Sequence, residues 1–164
     1  MARFKHKKGI SFAGIPRDVV VHRSFKNLGY TARSLLILLA EQYRGKNNGN
    51  LTITWSIMSD WFGSNVTMYK ARDELYKSGF IVINAYGGRS GSGTKLPHLY
   101  ALTWELIDKL EGENNKMRYQ HYPPRRSPLN YWKQDHNPDV KTKEERDEQF
   151  KKDLKKINKT HTTY

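Results

Sequence analysis

The chain has 164 residues and a mass of 19.2 kDa, with 29 Lys and Arg against 16 Asp and Glu, for a formal net charge of +13 and a pI near 9.9. That length suits one domain, and that charge points to a polyanion, whether DNA, RNA or anionic lipid. Cysteine is absent, which excludes disulfides, thiolate zinc sites and cysteine nucleophiles, and no window approaches the ~18 consecutive apolar residues that span a bilayer, so a cytoplasmic, nucleoid-associated protein without a membrane partner is expected.

In chain order, residues 1–11 read as a basic N-terminal arm carrying Arg3, Lys5, Lys7 and Lys8. Thr31 can cap a first helix whose apolar positions Leu35, Leu38, Leu39 and Tyr43 share one face, with Gly45 as terminator. A β-prone piece, Leu51 to Thr54, leads into a second, short helix opened by Thr54 or Ser56, with Ile57, Met58 and Trp61 expected inward and Gly63 as its stop. Ser64 then caps a third helix over about 64–78, with Met68, Ala71 and Leu75 on its core face and Ser78-Gly79 at its end. The period changes from about 3.6 to 2 over Phe80 to Ile83 and Leu99 to Trp104, two strands joined by a glycine-rich basic tip over 87–95. From Glu113 the chain has few aliphatic residues and three prolines in Tyr122 to Pro128, then a charge-dense run from Lys141 to Lys159 with Phe150, Leu154 and Ile157 as a thin apolar stripe. Residues 113–164 are therefore expected to be an extended linker and a charged C-terminal helix, a flexible basic tail. Its Tyr119, Tyr122, Tyr131 and Trp132 could stack on bases, or pack back onto the domain or a second subunit.

A short helix, a glycine turn, a capped helix and a hairpin make a helix-turn-helix with a wing, so residues 12–112 are expected to form an α+β winged helix-turn-helix domain of three helices and a β-hairpin. Gly63-Ser-Asn-Val-Thr67 with Ala71, Leu75 and Gly79-Phe-Ile81 resembles the winged pattern in which the recognition helix ends in a Gly-Phe-Ile turn. Together with Asn47 to Leu51, and with Leu99 to Trp104 followed by Ile107 and Asp108, the chain is similar over about residues 12–110 to a family of small helix-turn-helix proteins of bacteriophages, plasmids and other mobile elements. The resemblance implies a DNA-binding protein akin to phage and plasmid replication proteins.

A helix lying in the major groove reads base edges with residues near its N-terminus that point away from the core. Setting aside Met68, Ala71 and Leu75 leaves Ser64, Asn65, Thr67, Tyr69 and Lys70 as the DNA-binding candidates, whereas Asp73 and Glu74 would repel phosphates. Asn65 suits adenine, Lys70 guanine or phosphate, Tyr69 phosphate or a thymine methyl, and Ser64 and Thr67 phosphate. Arg89 and Lys95 on the wing reach the backbone or minor groove, Lys5, Lys7 and Lys8 track a groove, and Arg33 and Arg44 add phosphate contacts.

Enzymatic chemistry has little support. Gly88 to Lys95 lacks the Gly-Lys-Ser/Thr that opens a helix in a phosphate-binding loop, the six histidines have no ligand-type spacing, and the eight acidic residues up to Gly112 are scattered. No catalytic residue, metal or cofactor is expected. The leading expectation is a sequence-specific double-stranded DNA-binding transcriptional regulator of a mobile element, a repressor or autoregulator acting as a homodimer. The alternatives are an origin-binding replication initiator whose tail recruits a host replication or transcription protein, and a non-enzymatic interaction module acting on a host factor.

Overall fold

A computed structural model of the chain describes residues 12–112, 115, 118–141, 145 and 148. The basic arm with Lys5, Lys7 and Lys8, and the apolar stripe of Phe150, Leu154 and Ile157, lie outside the described residues. The elements are α1 (Arg17–Val21), α2 (Arg23–Asn27), α3 (Tyr30–Gln42), β1 (Leu51–Thr52), α4 (Trp55–Met58), α5 (Asn65–Lys77), β2 (Ile81–Ala85), β3 (Gly88–Arg89), β4 (Lys95–Leu96) and β5 (Leu99–Leu102), followed by a 3-10 turn at Tyr131–Gln134. The protein is α+β, as expected.

The helices α1 and α2 are absent from the sequence reading, because five residues hold too little of a 3.6-residue period to register. His22 joins them, ending the first and capping the second by accepting the Ser24 amide at Nδ1 (3.2 Å). The first expected helix is α3, with Ala32, Leu35, Leu36 and Leu39 buried. It begins one residue before the expected cap. Gly29 is the N-cap, and its amide donates to Glu74 Oε1 of α5 at 2.7 Å, so the free backbone donor is satisfied by a carboxylate 45 residues away rather than by Thr31.

The second expected helix is a single turn, α4. Met58 is buried as expected, but Ile57 and Trp61 are 54% and 69% exposed. A four-residue helix has room for one inward side chain. Met58 occupies that position, and Phe62 rather than Trp61 fills the next space in the core. The third helix matches its expectation closely: Ser64 Oγ accepts the Thr67 amide (3.1 Å), and Met68, Ala71 and Leu75 are buried. At its end the Phe80 amide reaches Leu75 O (3.0 Å) and the Gly79 amide reaches Tyr76 O (3.3 Å), the paired closure that needs the left-handed φ of +77° at Gly79.

The strands form an antiparallel sheet in the order β1-β5-β2, while β3 and β4 make a separate two-stranded ribbon beyond it. The register pairs Ile81 with Leu102, Val82 with Ala101 and Ile83 with Tyr100, and a bulge leaves Asn84 unpaired before Ala85 meets Leu99. One sheet face packs on the helices through Ile81, Tyr100 and Leu102. In the loop between α3 and β1, Asn48 is fully buried against the end of β5: its amide group donates to Leu102 O (2.9 Å) and Leu106 O (3.0 Å), and its Oδ1 accepts the Leu102 amide (2.7 Å). Asn48→Ala removes three bonds and strands a buried amide, so chemical denaturation should show a loss of at least ~2 kcal/mol.

The other sheet face is covered by the stretch that reads as linker. Val82, Ala101 and Ile107 pack against Tyr122, Leu129 and Tyr131. Trp132 is 4% exposed and belongs to the main core; its carbonyl accepts from Ser24 Oγ (2.7 Å), and its ring nitrogen donates to Asn130 (3.1 Å). The bulge residue Asn84 accepts from the His121 and Tyr122 amides, the Asn130 amide donates to Thr103 O (2.7 Å), and the buried Asn137 donates from its main-chain amide to Lys77 O (2.9 Å). The Tyr122 hydroxyl donates to Asp139, and burial together with that carboxylate raises its pKa far above that of an ordinary phenol. Residues 118–141 thus form a third layer on the sheet rather than an extended tail. Few aliphatic residues are needed, because the layer is fastened mainly by backbone hydrogen bonds and three aromatic rings.

Candidate nucleic-acid interface

Helix α5 and the β3-β4 ribbon both line an open groove of about 970 Å³. Tyr69 and Arg72 face it from α5, Thr54 and Ser56 from the start of α4, and Arg89 and Lys95 from the ribbon, over a floor that includes His98 and Tyr100. Arg89 and Lys95 are direct cross-strand partners, and the tip beyond them is closed by Ser90 donating to Thr94 O (2.8 Å) and Gly93 donating to Ser90 O (2.9 Å). Two cations are thereby held side by side on a narrow ribbon.

Of the residues expected to contact DNA, the structure brings Tyr69, Arg89 and Lys95 together around this groove. Asn65 and Lys70 are exposed on the outer face of α5, and Ser64 and Thr67 are half-buried at its start, their hydroxyls sharing a 3.0 Å bond. Arg33 stands apart from the groove residues. Its guanidinium donates to Lys26 O (2.6 Å) and lies over the rings of Phe25 and Tyr30 at 5.5 and 5.4 Å, tying α2 to α3. Arg44 is paired with Glu41 at 2.6 Å on the surface. The two acidic residues expected to repel phosphates are both engaged within the protein, Asp73 with Arg72 and Glu74 with Gly29.

Arg72 is the groove residue that the sequence reading missed. It follows the core residue Ala71, at the edge of the buried face, and its signal was the i,i+3 relation to Tyr69. Its guanidinium rests 4.8 Å from the Tyr69 ring centre and donates to Asp73 Oδ1 from Nε (2.9 Å) and Nη2 (2.5 Å), which holds the side chain in place at the groove. On the floor, burial raises the Tyr100 pKa, keeping the phenol neutral.

His98 accepts the Gly87 amide at Nδ1 (3.0 Å), which leaves Nε2 as the protonated nitrogen of the neutral ring. Burial, then the positive charges of Arg72 and Arg118, lower its pKa. The folded protein therefore prefers neutral His98 while the unfolded chain takes up a proton in the ordinary imidazole range. Stability is full above that range and falls as the pH drops through it towards the lowered value. Thermal melting followed from pH 7 to pH 5 should show a loss that His98→Gln reduces; an identical pH profile in the variant rules this out.

Among the described residues, no three His, Asp or Glu side chains are grouped to hold a metal ion, and no helix is long and apolar enough to cross a membrane. Comparison with protein families, curated proteins and solved structures finds no match for this chain.

Proposed function

We propose that the chain is a winged helix-turn-helix protein that binds double-stranded DNA, with α4 and α5 as the helix-turn-helix and the β3-β4 ribbon as the wing. The observation that carries this reading is the basic groove between α5 and the ribbon, in which Arg72, Arg89 and Lys95 line a concave surface on a protein of net charge +13. The element order, helix then strand then two helices then hairpin, and the sheet order β1-β5-β2 support the winged assignment. Helix α5 has 13 residues, about 20 Å at 1.5 Å per residue, enough to cross a major groove about 12 Å wide.

In this reading Asn65 and Lys70 meet base edges, and Val66 and Tyr69, 58% and 37% exposed, offer apolar contact to thymine methyls. Arg72, Arg89 and Lys95 take phosphates. The family resemblance itself implies DNA binding and kinship with phage and plasmid replication proteins; the role as a repressor or autoregulator of a mobile element, acting as a homodimer, is a further proposal that requires half-sites about one helical turn apart. Host-protein recruitment would fall to residues beyond Lys141, since 118–141 are engaged with the sheet. Gel shifts with a pool of random duplexes at moderate salt test the DNA assignment. A shifted, sequence-enriched fraction supports it, and a shift without enrichment rejects sequence-specific reading.

A further inference from the structure

Five aromatic rings run in a row from the groove floor round the base of the hairpin. Tyr100 and His98 line the groove with ring centres 6.4 Å apart; His98 meets Tyr86 at 5.6 Å, Tyr86 meets His121 at 4.7 Å, and His121 meets Tyr119 at 4.8 Å, each contact edge to face. Exposure rises along the row, from buried Tyr100 to 53% at Tyr86 and 75% at Tyr119. The outer rings sit on a fixed base, because Arg118 anchors its segment by donating to Tyr86 O (2.9 Å) and Pro97 O (2.6 Å). Tyr86 and Tyr119 keep most of their surface open to solvent despite these contacts, so they are the rings of the row that a base can reach.

We propose that this row is a stacking track for the unpaired bases of a single-stranded nucleic acid. Every base has a π face, so a row of exposed rings binds single strands with little regard to sequence, provided that cations accompany the backbone. Here the row begins in the groove that holds Arg89 and Lys95, and the charge of the whole chain suits a polyanion better than an apolar peptide. The inference rests on the duplex reading for the path of the backbone into the groove, and on the rings alone for base binding. A duplex groove continuing into a single-strand track suits a site where the duplex is opened, which favours the origin-binding role over simple repression.

The test is fluorescence anisotropy of the full chain with short labelled oligo-dT and oligo-rU, beside a duplex of selected sequence. Tyr86→Ala and Tyr119→Ala should each weaken single-strand binding by about tenfold, with Tyr86→Phe and Tyr119→Phe retaining it and duplex affinity unchanged. Tyr119→Ala alone keeps the test valid if Tyr86→Ala lowers the melting temperature, since Tyr119 is the more exposed ring. Ring-dependent binding of oligo-dT assigns the track to DNA, and the same dependence for oligo-rU only assigns it to RNA. Absence of single-strand binding, binding indifferent to the alanine changes, failure of phenylalanine to rescue, or equal losses on duplex and single strand would each overturn the proposal. Ring-dependent single-strand binding by a protein that ignores duplexes would instead reject the duplex reading and leave the track standing.

Discussion

Trp132→Ala should destabilise the protein by about 3–5 kcal/mol, the usual range for deleting a buried tryptophan, out of a total of about 5–15 kcal/mol for a domain of this kind. The ring is 4% exposed in the main core, packs edge-on to His22 at 5.0 Å, and is the one apolar side chain of the 118–141 layer that reaches the main core, the rest of the layer being held by hydrogen bonds and by Tyr122, Leu129 and Tyr131 on the other sheet face. Its removal leaves a cavity where α2, the sheet and the 118–141 layer meet. Gly79→Ala attacks the same joint from the other side: a Cβ there would lie 2.8 Å from His136 O and 2.8 Å from the Tyr131 carbonyl carbon, at a φ of +77° that alanine resists. Urea denaturation followed by tryptophan fluorescence measures both. A loss below about 1 kcal/mol for Trp132→Ala would show that the layer is a detachable tail, as its composition alone indicates.

Arg89→Ala combined with Lys95→Ala should weaken duplex binding about a hundredfold, taking ~1.5 kcal/mol for each charge-assisted phosphate contact. The loss should be the same for every sequence, because phosphates carry no base information. It should also flatten the dependence of log K on log salt by about 2, near 0.9 for each phosphate released from its counterions. Titrations at several salt concentrations distinguish this from a folding defect, which lowers the active fraction without changing the slope. An unchanged slope would remove the ribbon from the interface.

The fold was legible where local chemistry repeats. Met68, Ala71 and Leu75 mark a helical face, Ser64 and Gly79 its ends, and the β-rich runs after Phe80 and from Leu99 the strands; these elements stand in the structure, but the expected alternation along the strands does not, because both sheet faces are covered. What escaped notice depends on contacts distant in sequence. Gly29 is capped by Glu74, and the segment that carries Trp132 into the core is bonded to Ser24, Thr103 and Lys77, all far from it in sequence. The expected inward Trp61 failed for a related reason, since a one-turn helix has no period to reveal which side is buried. At the candidate interface, exposed Asn65, Tyr69 and Lys70 follow from removing the core face of α5. Arg72 does not, because a residue at the edge of that face is assigned to groove or surface by Tyr69 and Asp73 beside it. Arg33 shows the converse: a cation counted for phosphate is held by two rings and the Lys26 carbonyl.

The most direct measurement for the central claim is selection of bound duplexes from a random pool by the full chain and by Asn65→Ala. A reading helix α5 predicts one enriched motif for the native protein, and for the variant the same motif relaxed at one position, with a cost of ~1–3 kcal/mol on the original site. Enrichment of no motif, or an identical motif and affinity from the variant, contradicts the assignment of α5 as the helix that reads DNA.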